Sequence, residues 1–554
     1  MIRIEELKIS LSQKETLLPK LAAKTLRIPV EQIISYRIVK KAIDSRKKSD
    51  VCHVFTVDVE IADEQQLLNA LLTSKNTDIQ KDVKYHRIHL AETFHYTIPI
   101  FPAPPKAPIV VVGSGPCGLF AALALSKAGL SPLIVERGKT TEQRIADVER
   151  FFKTGILNPE SNVQFGEGGA GTFSDGKLYT LINDKRSHFI FQTLIECGAP
   201  PEIAYDAKPH IGTDILRKVI VNLREKIIAL GGSFRFETKL TDIHIKDNTL
   251  KSIVLNGTEE MSASALVLAV GHSARDTFKM LFDNRLNIVQ KPFSVGVRIE
   301  HSASLINRSQ YGTFAEHPAL PPAKYKLVAH LNNGRSVYTF CMCPGGYVVA
   351  ASSEENGLVI NGMSENKQDG NNSNSAILVN VYPSDFGSAH PLAGIDFQRN
   401  IEQKTFELGG RNYHAPIQTV GDFLQDRFSP SLPSELTPTY KPNVTPAKLK
   451  ECLPDFVVES LKLGIVDMDK RLRGFASPSA LLTAAETRSS SPLRIVRNEQ
   501  GIASVRNIYP AGEGAGYAGG IMSSAIDGLR AGENLLFHKF HPPITHAQEI
   551  DAVG

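Results

Sequence analysis

The sequence predicts an α/β protein in which a doubly wound parallel-sheet unit is interrupted by an inserted α+β unit and preceded by a smaller α+β unit. Three observations carry that prediction. A β-branched run enters a glycine turn and an alanine-rich helix at residues 109–127, a proline-rich segment stands before it at 101–108, and a second glycine turn followed by a helix comes after Gly512. The expected parts are residues 1–97, a linker at 98–107, then 108–284, 285–500 and 501–554, with 108–284 and 501–554 forming one folded unit.

The first part reads as strand (IRIEELKIS), helix (LLPKLAAKTLRI), strand (IISYRIVKKAI), strand (CHVFTVDVEI), helix (EQQLLNALLTS) and a last short strand (VKYHRIHL). That order suits a small sandwich of ferredoxin-like type. Residues 1–48 hold twelve Lys or Arg against five Asp or Glu. Such clustering steers polyanions, but the acids that dominate residues 51–100 favour an ordinary solvated face. FPAPPKAP, with four prolines in eight residues, then reads as a stiff linker.

The run IVVVGSGPCGLFAALALSKAGLSPLIVERG follows. Ile109 to Val112 form a strand buried on both faces, and Gly113, Gly115 and Gly118 give the GxGxxG spacing of a dinucleotide turn. Gly113 permits the tight turn, Gly115 lets a pyrophosphate approach the backbone, and Gly118 brings the next helix close to the sheet. With Pro116 as an early helical residue, the helix N-terminus faces the phosphates and offers unpaired N–H groups. The second strand ends in Glu136 and Arg137, about 20 residues on, where a carboxylate accepts ribose hydroxyls.

Residues 162–180, NVQFGEGGAGTFSDGKLYT, place five glycines among eleven residues from Gly166 to Gly176. Backbone of that kind approaches a ligand closely or takes positive φ. Gly169, Ala170, Gly171, Thr172, Ser174 and Asp175 are therefore expected at a cofactor. A helix capped near Thr213 or Asp214, a strand, a β-meander (TDIHIKDNTLKSIVLNG) and an apolar strand reaching Gly271 come next, with Ser273 and Asp276 spaced as a capping box. His272 beside Gly271 is a candidate for flavin or substrate contact. Near the other end, VRNIYPAGEGAGYAGGIMSSAIDGLRAGENLL reads as strand, turn at Gly512-Glu513-Gly514, and a helix from about Gly520 and Ile521.

This chain order is that of the FAD domain in the glutathione-reductase-like superfamily. Together with FGEGGAGTFSDGKL, KPHIGTD, FSVGVRIEH, YTFCMCPGGYVVAASSEENGLVINGMS, VGDFLQ and AAETRSSSPLRI, it resembles a family of mostly uncharacterised bacterial FAD-dependent dehydrogenases with relatives in plastid-bearing plants. The resemblance spans nearly the whole chain and implies FAD binding in a dehydrogenase-like fold. It also implies that the Glu513 turn corresponds to the second flavin motif, where an acid, usually Asp, meets the ribityl chain. More distantly, the layout is similar to fumarate-reductase and geranylgeranyl-reductase flavoproteins, in which a cap is inserted into the FAD domain.

The inserted part mixes strands (FSVGVRIE, YKLVAHL, VYTFCMC, YVVAA, AILVNVY) with a mainly helical stretch from Gln398 to about Arg473, and residues 361–375, NGMSENKQDGNNSNS, read as a mobile loop or lid hinge. Arg298, Glu300, His301, Glu486 and Arg488 are charged candidates for substrate binding or proton transfer. Cys341 and Cys343 read as two small buried strand residues, since a CxC disulfide is strained and no second Cys or His pair completes a zinc set. No metal site is expected.

Composition bounds the rest. With 42% hydrophobic residues and a net charge of +4 from 62 basic and 58 acidic residues, the chain is an ordinary globular one and nucleic acid is not its indicated partner. No apolar stretch reaches the ~18 residues of a membrane span. Six scattered cysteines give no disulfide framework, which suits the cytoplasm. No second GxGxxG with its own βαβ unit is present, which argues against a separate nicotinamide domain. The expected function is an FAD-dependent oxidoreductase exchanging hydride at flavin N5 with a small molecule. The alternatives are a flavin-dependent RNA-modifying or RNA-binding protein using the basic N-terminal part, and a flavin-binding protein without turnover.

Overall fold

A computed structural model describes residues 1–73, 77–85, 87–92, 96–101, 107–180 and 182–540. Half of the expected linker, residues 102–106, lies outside them. The first elements are β1 (Ile2–Ser10), α1 (Leu18–Leu26), β2 (Ser35–Asp44), β3 (Cys52–Glu60), α2 (Glu64–Leu72), α3 (Thr77–Lys84) and β4 (Ile88–Leu90). The strands form one antiparallel sheet in the order β2-β3-β1-β4. Alternation decides which face is buried. Ile2, Ile4, Phe55, Val57 and Val59 pack with Leu18, Ala22 and Leu26 of α1. The last strand is shorter than the sequence suggests because α3 takes up Thr77–Lys84.

Half of the twelve basic residues at 1–48 have a partner within the chain. Asp58, fully buried, binds Arg3 and Arg37; Glu15 binds Lys41; Asp44 holds Arg46 and Lys8; and Lys48 donates to the Gln310 carbonyl.

Next come β5 (Ile109–Val112), α4 (Pro116–Lys127), β6 (Leu133–Val135), α5 (Thr141–Thr154), α6 (Arg186–Glu196), α7 (Thr213–Ala229), β7 (Ser233–Arg235), the meander β8 (Leu240–Lys246), β9 (Thr249–Leu255) and β10 (Glu259–Ser262), then β11 (Ala265–Leu268) and α8 (Arg275–Asp283). Further on are β12 (Ile288–Gln290), β13 (Phe293–Ser302), α9 (Ala303–Tyr311), β14 (Val328–His330), β15 (Ser336–Cys343), β16 (Tyr347–Ala350), β17 (Ile360–Met363) and β18 (Asn372–Val381). The last stretch holds α10 (Ala393–Leu408), β19 (Ala415–Thr419), α11 (Val420–Leu424), β20 (Val444–Pro446), α12 (Asp455–Asp469), β21 (Leu481–Glu486), β22 (Leu493–Ile495), β23 (Ile508–Pro510) and α13 (Ile521–Leu535).

A five-stranded parallel sheet, β23-β11-β5-β6-β7, gives the mixed α/β chain its Rossmann-like part, and β23 joins it from the far end of the sequence. All four residues of β5 and of β11 are buried, as strands covered on both faces require. On one face α4 lies against α13. Small residues set that distance: a Cβ on Gly528 would sit 2.1 Å from the Cys117 carbonyl oxygen, and one on Gly532 would sit 2.9 Å from Ala124 Cβ.

The second large sheet, β14-β15-β18-β13-β21-β19-β20, is antiparallel except where β19 runs parallel to β20. Its centre corrects one expectation. Residues 361–375 are not a mobile loop, because β17 and β18 absorb both ends and Asn372, Ser373, Asn374 and Ser375 are buried in register with Ser302, His301, Glu300 and Ile299 of β13. The polar run lies where Arg298 and Glu300 need acceptors and donors: Asn374 accepts from Arg298 at 2.7 Å and Asn372 donates to Glu300 at 3.0 Å. The stretch from Gln398 to Arg473 is likewise only partly helical, with β19 and β20 between α10 and α12.

Candidate functional site

A cavity of about 740 Å³ opens between the carboxyl ends of the parallel strands and the second sheet. That is where ligands bind in open α/β sheets. The loop of residues 166–177 runs along it from end to end. Gly166 N donates to Glu136 at one end, Gly169 stands against Gly115, Gly171 lies against Ile521, and Lys177 reaches Cys341 and Cys343 at the other end.

The first end is built from backbone. Gly113 sits at φ 98°, and a Cβ there would be 2.6 Å from the Ala269 carbonyl oxygen; one on Gly118 would be 1.9 Å from the Gly113 oxygen. Neither position accepts a side chain. Helix α4 begins at Pro116, and its first-turn amides have no partner within the helix. Glu136 is buried, with Oε1 accepting from Gly138 N and Gly166 N and Oε2 from Ser114 N and Ser114 Oγ. The expected ribose acceptor therefore also ties the turn to the loop, and only the Ser114 hydroxyl can rotate aside for a ribose oxygen. Arg137 stacks on Phe165 at 4.0 Å while pairing with Glu160 and Asp276.

The middle is bordered by a second helix N-terminus. Ile521, Met522, Ser523 and Ser524 of α13 line the cavity beside Glu513. A Cβ on Gly271, Gly519 or Gly520 would meet no protein atom within 4 Å. Together with the two helix N-termini, this bare backbone makes a cradle for a long anionic ligand, and the residues present fit a dinucleotide such as FAD.

The far end is built from side chains. Partly buried Lys177 lies 3.3 Å from Asp175 and 3.8 Å from each of the Cys341 and Cys343 sulfurs. Burial opposes its charge, but Asp175 and the sulfurs outweigh it and hold its pKa above the usual lysine value. Glu486 lines the cavity and receives Arg298 at 2.7 and 2.9 Å. Arg488 lines it too, gripped by Glu402, which also takes Arg275. Burial pushes Glu402 up, yet the two guanidinium groups win and hold it well below the carboxylate range. His272 Nε2–H donates to the Arg488 carbonyl at 2.6 Å, and burial lowers the imidazole's pKa below the usual histidine value.

The cavity brings together Gly113, Gly115, Pro116, Glu136, Arg137, Gly169, Ala170, Gly171, Ser174, Asp175, Gly271, His272, Glu486, Arg488, Glu513, Gly520 and Ile521 of the sequence-predicted residues. The others lie elsewhere for stated reasons. Gly118 packs under the turn, and Thr172 turns its hydroxyl inward to the Glu167 carbonyl. The Gly512 amide is taken by Asp527, itself paired with Arg497. Arg298 is buried behind Glu486; Glu300 binds Thr439 and Asn372; and His301 bonds the Phe475 carbonyl. The two expected helix caps are also absent. Thr213 donates to the Thr172 carbonyl and Asp214 accepts from Asn366 N, while Ser273 reaches Gln164 and Asp276 reaches Arg137.

Sequence reasoning missed Lys177, although it stands in the glycine-rich stretch, directly after Asp175-Gly176. Lys291, Arg494 and Tyr517 also line the cavity without a motif to mark them. Among the described residues no group of three or more His, Cys, Asp or Glu is placed to hold a metal, and all six cysteines are free.

With this geometry in hand, the sequence matches an FAD binding domain over residues 106–161, an FAD-dependent protein C-terminal-domain-like family over 292–489, and a domain of unknown function over 1–60. An uncharacterized protein of Clostridium beijerinckii is 47% identical over 544 residues, covering 98% of this chain and 99% of the relative. The chain belongs to the same family as that protein, a family of FAD-dependent flavoenzymes, and its cofactor is FAD. Solved structures with a similar arrangement include a flavin-dependent brominase triple mutant (11% identity, 77% of this chain, 79% of that chain, TM-score 0.36). Another is the FAD-bound glycerol-3-phosphate dehydrogenase of Bacillus halodurans (10% identity, 79% and 66%, TM-score 0.32). Among the described residues no helix is long and apolar enough to cross a membrane.

Proposed function

We propose that the protein is an oxidoreductase that uses FAD in the cavity to exchange hydride with a small molecule held at the Lys177–Glu486–Arg488 end. The carrying observation is the continuity of the cavity from the Gly113 turn to Lys177. When bound, FAD supplies hydride exchange at N5.

The chain's own residues divide the work. Gly113, Gly115 and Pro116 border the pyrophosphate; Glu136, Arg137, Thr238 and Lys239 hold the adenosine; Gly169 to Asp175, Gly271, Glu513 and Gly520 to Ile521 border the flavin end. The N-termini of α4 and α13 offset negative charge on the phosphates and on reduced cofactor. Lys177 and Arg488 attract an anionic or carbonyl-bearing substrate, and His272, close to solvent exchange through the cavity, accepts a proton. The seven-stranded sheet would act as a cap inserted into the FAD domain. The β2-β3-β1-β4 order supports a ferredoxin-like reading of the N-terminal unit, and the internal pairing of half of the basic residues at 1–48 argues against an RNA site there.

The test is anaerobic reduction of the FAD-loaded protein by NADH, NADPH and a panel of hydroxy acids, amines and unsaturated acids. Bleaching by one of them is expected. If none bleaches the flavin, the reading of a catalytic flavin gives way to that of a flavin protein without turnover.

A further inference from the structure

Cys341 and Cys343 are free cysteines in β15, as their spacing suggests, but they do not sit in regular strand pairing. A register irregularity between Phe340 and Cys343 interrupts the pairing of β15 with β18, and Cys341 takes φ 47°, in the left-handed region that a small, non-glycine residue seldom occupies. The extended strand is thereby broken at the pair. Regular strand geometry sets residues two apart at about 6.6 Å between Cα atoms, the upper edge of what a disulfide spans, so such a break is what a closing pair needs.

Both sulfurs face one partly buried ammonium. Lys177 Nζ is 3.8 Å from each, Asp175 anchors that lysine at 3.3 Å, and the Cys343 thiol donates to the Cys341 carbonyl oxygen at 3.3 Å. Cys341 and Lys177 line the cavity in which the cofactor is proposed to lie, as does Cys117 at the α4 end, while Cys343 is fully buried behind Cys341. A thiolate beside a cation is the reactive form of cysteine. The adjacent Cys343 side chain comes first in lowering the Cys341 pKa, and Lys177 adds to it against burial.

We propose that Cys341 and Cys343 are a redox-active dithiol of the flavin cavity, exchanging two electrons with bound FAD and making a thiol–disulfide couple the class of electron partner. This rests on FAD occupying the cavity as proposed above. The step balances from the Cys341 thiolate and the Cys343 thiol: one S–H bond breaks, one S–S bond forms, and the two electrons and one proton released convert FAD to the FADH− anion; the reverse step opens the disulfide. Lys177 is a positioning residue that steadies the thiolate.

The test uses the full-length FAD-loaded protein, oxidised with diamide and then titrated anaerobically with dithionite. The wild type is expected to take up twice the electrons per flavin that Cys341→Ser and Cys343→Ser take up. Alkylation after unfolding is expected to leave one peptide, holding Cys341 and Cys343, unmodified until a reductant is added. Electron uptake equal to that of the flavin alone, or a pair that remains alkylatable after diamide, overturns the proposal. If both serine variants lose flavin, the electron count and peptide map of the wild type decide by themselves. Flavin absorbance reports separately on the cofactor: protein without FAD removes the cavity assignment and this step with it, whatever the peptide map shows.

Discussion

The two ends of the cavity are made of different material. At the Gly113 end the surface is main chain, with helix amides, bare glycines and a glutamate whose oxygens are occupied by backbone and serine donors. At the Lys177 end it is side chain, with an ammonium, two thiols, Glu486 and Arg488 drawn from three separated stretches of sequence and steadied from behind by Arg298 and Glu402. The difference teaches where identity and reactivity reside. Backbone recognises what any dinucleotide shares, and side chains decide what is done with it.

The largest effect should come from breaking the backbone end. Gly118→Val places a side chain where even a Cβ meets the Gly113 carbonyl oxygen at 1.9 Å. Flavin content after purification should fall on the order of tenfold or more, which corresponds to at least ~1.4 kcal/mol of binding. Breaking the other end acts on stability instead. Glu402→Ala leaves Arg275 and Arg488 buried without their shared carboxylate, and a loss of about 3–5 kcal/mol is expected from urea unfolding.

A smaller effect separates charge at the cavity from charge beneath it. His301 lies on the same strand as Arg298 but in the core, and burial lowers its pKa from 6.5 to about 4. The unfolded chain then binds the proton more tightly, so stability is full above about pH 6.5 and declines as pH falls toward 4, by up to ~3 kcal/mol. Unfolding measured across that window should lose this slope in His301→Gln. The smallest effect belongs to the N-terminal unit. Arg37→Ala removes a half-exposed partner of Asp58 while Arg3 remains, and should cost roughly 0–1 kcal/mol with flavin content unchanged.

The same division explains what the sequence disclosed. The turn at Gly113, Gly115 and Gly118 is local, and its chemistry is stated by spacing within ten residues, so the cofactor end was legible. Glycines at 271 and 520 were legible for the same reason. The far end is long-range: Lys177 meets Cys341 and Cys343 only because the 166–177 loop crosses to β15, and nothing in the spacing of a CxC run announces a lysine. Asn372 to Ser375 were misread because a polar run usually means solvent, whereas here buried Arg298 and Glu300 demand polar neighbours. Arg298 and His301 carry the charge of catalytic residues but are satisfied inside the sheet.

The central claim is that one end of this cavity holds the cofactor and the other acts upon it. Flavin content measured side by side in Gly118→Val and Cys341→Ser tests it most directly. Gly118→Val, still folded by circular dichroism, is expected to lose FAD while Cys341→Ser keeps one FAD per chain. Equal retention of FAD in both variants, or its equal loss, would contradict the division of the cavity.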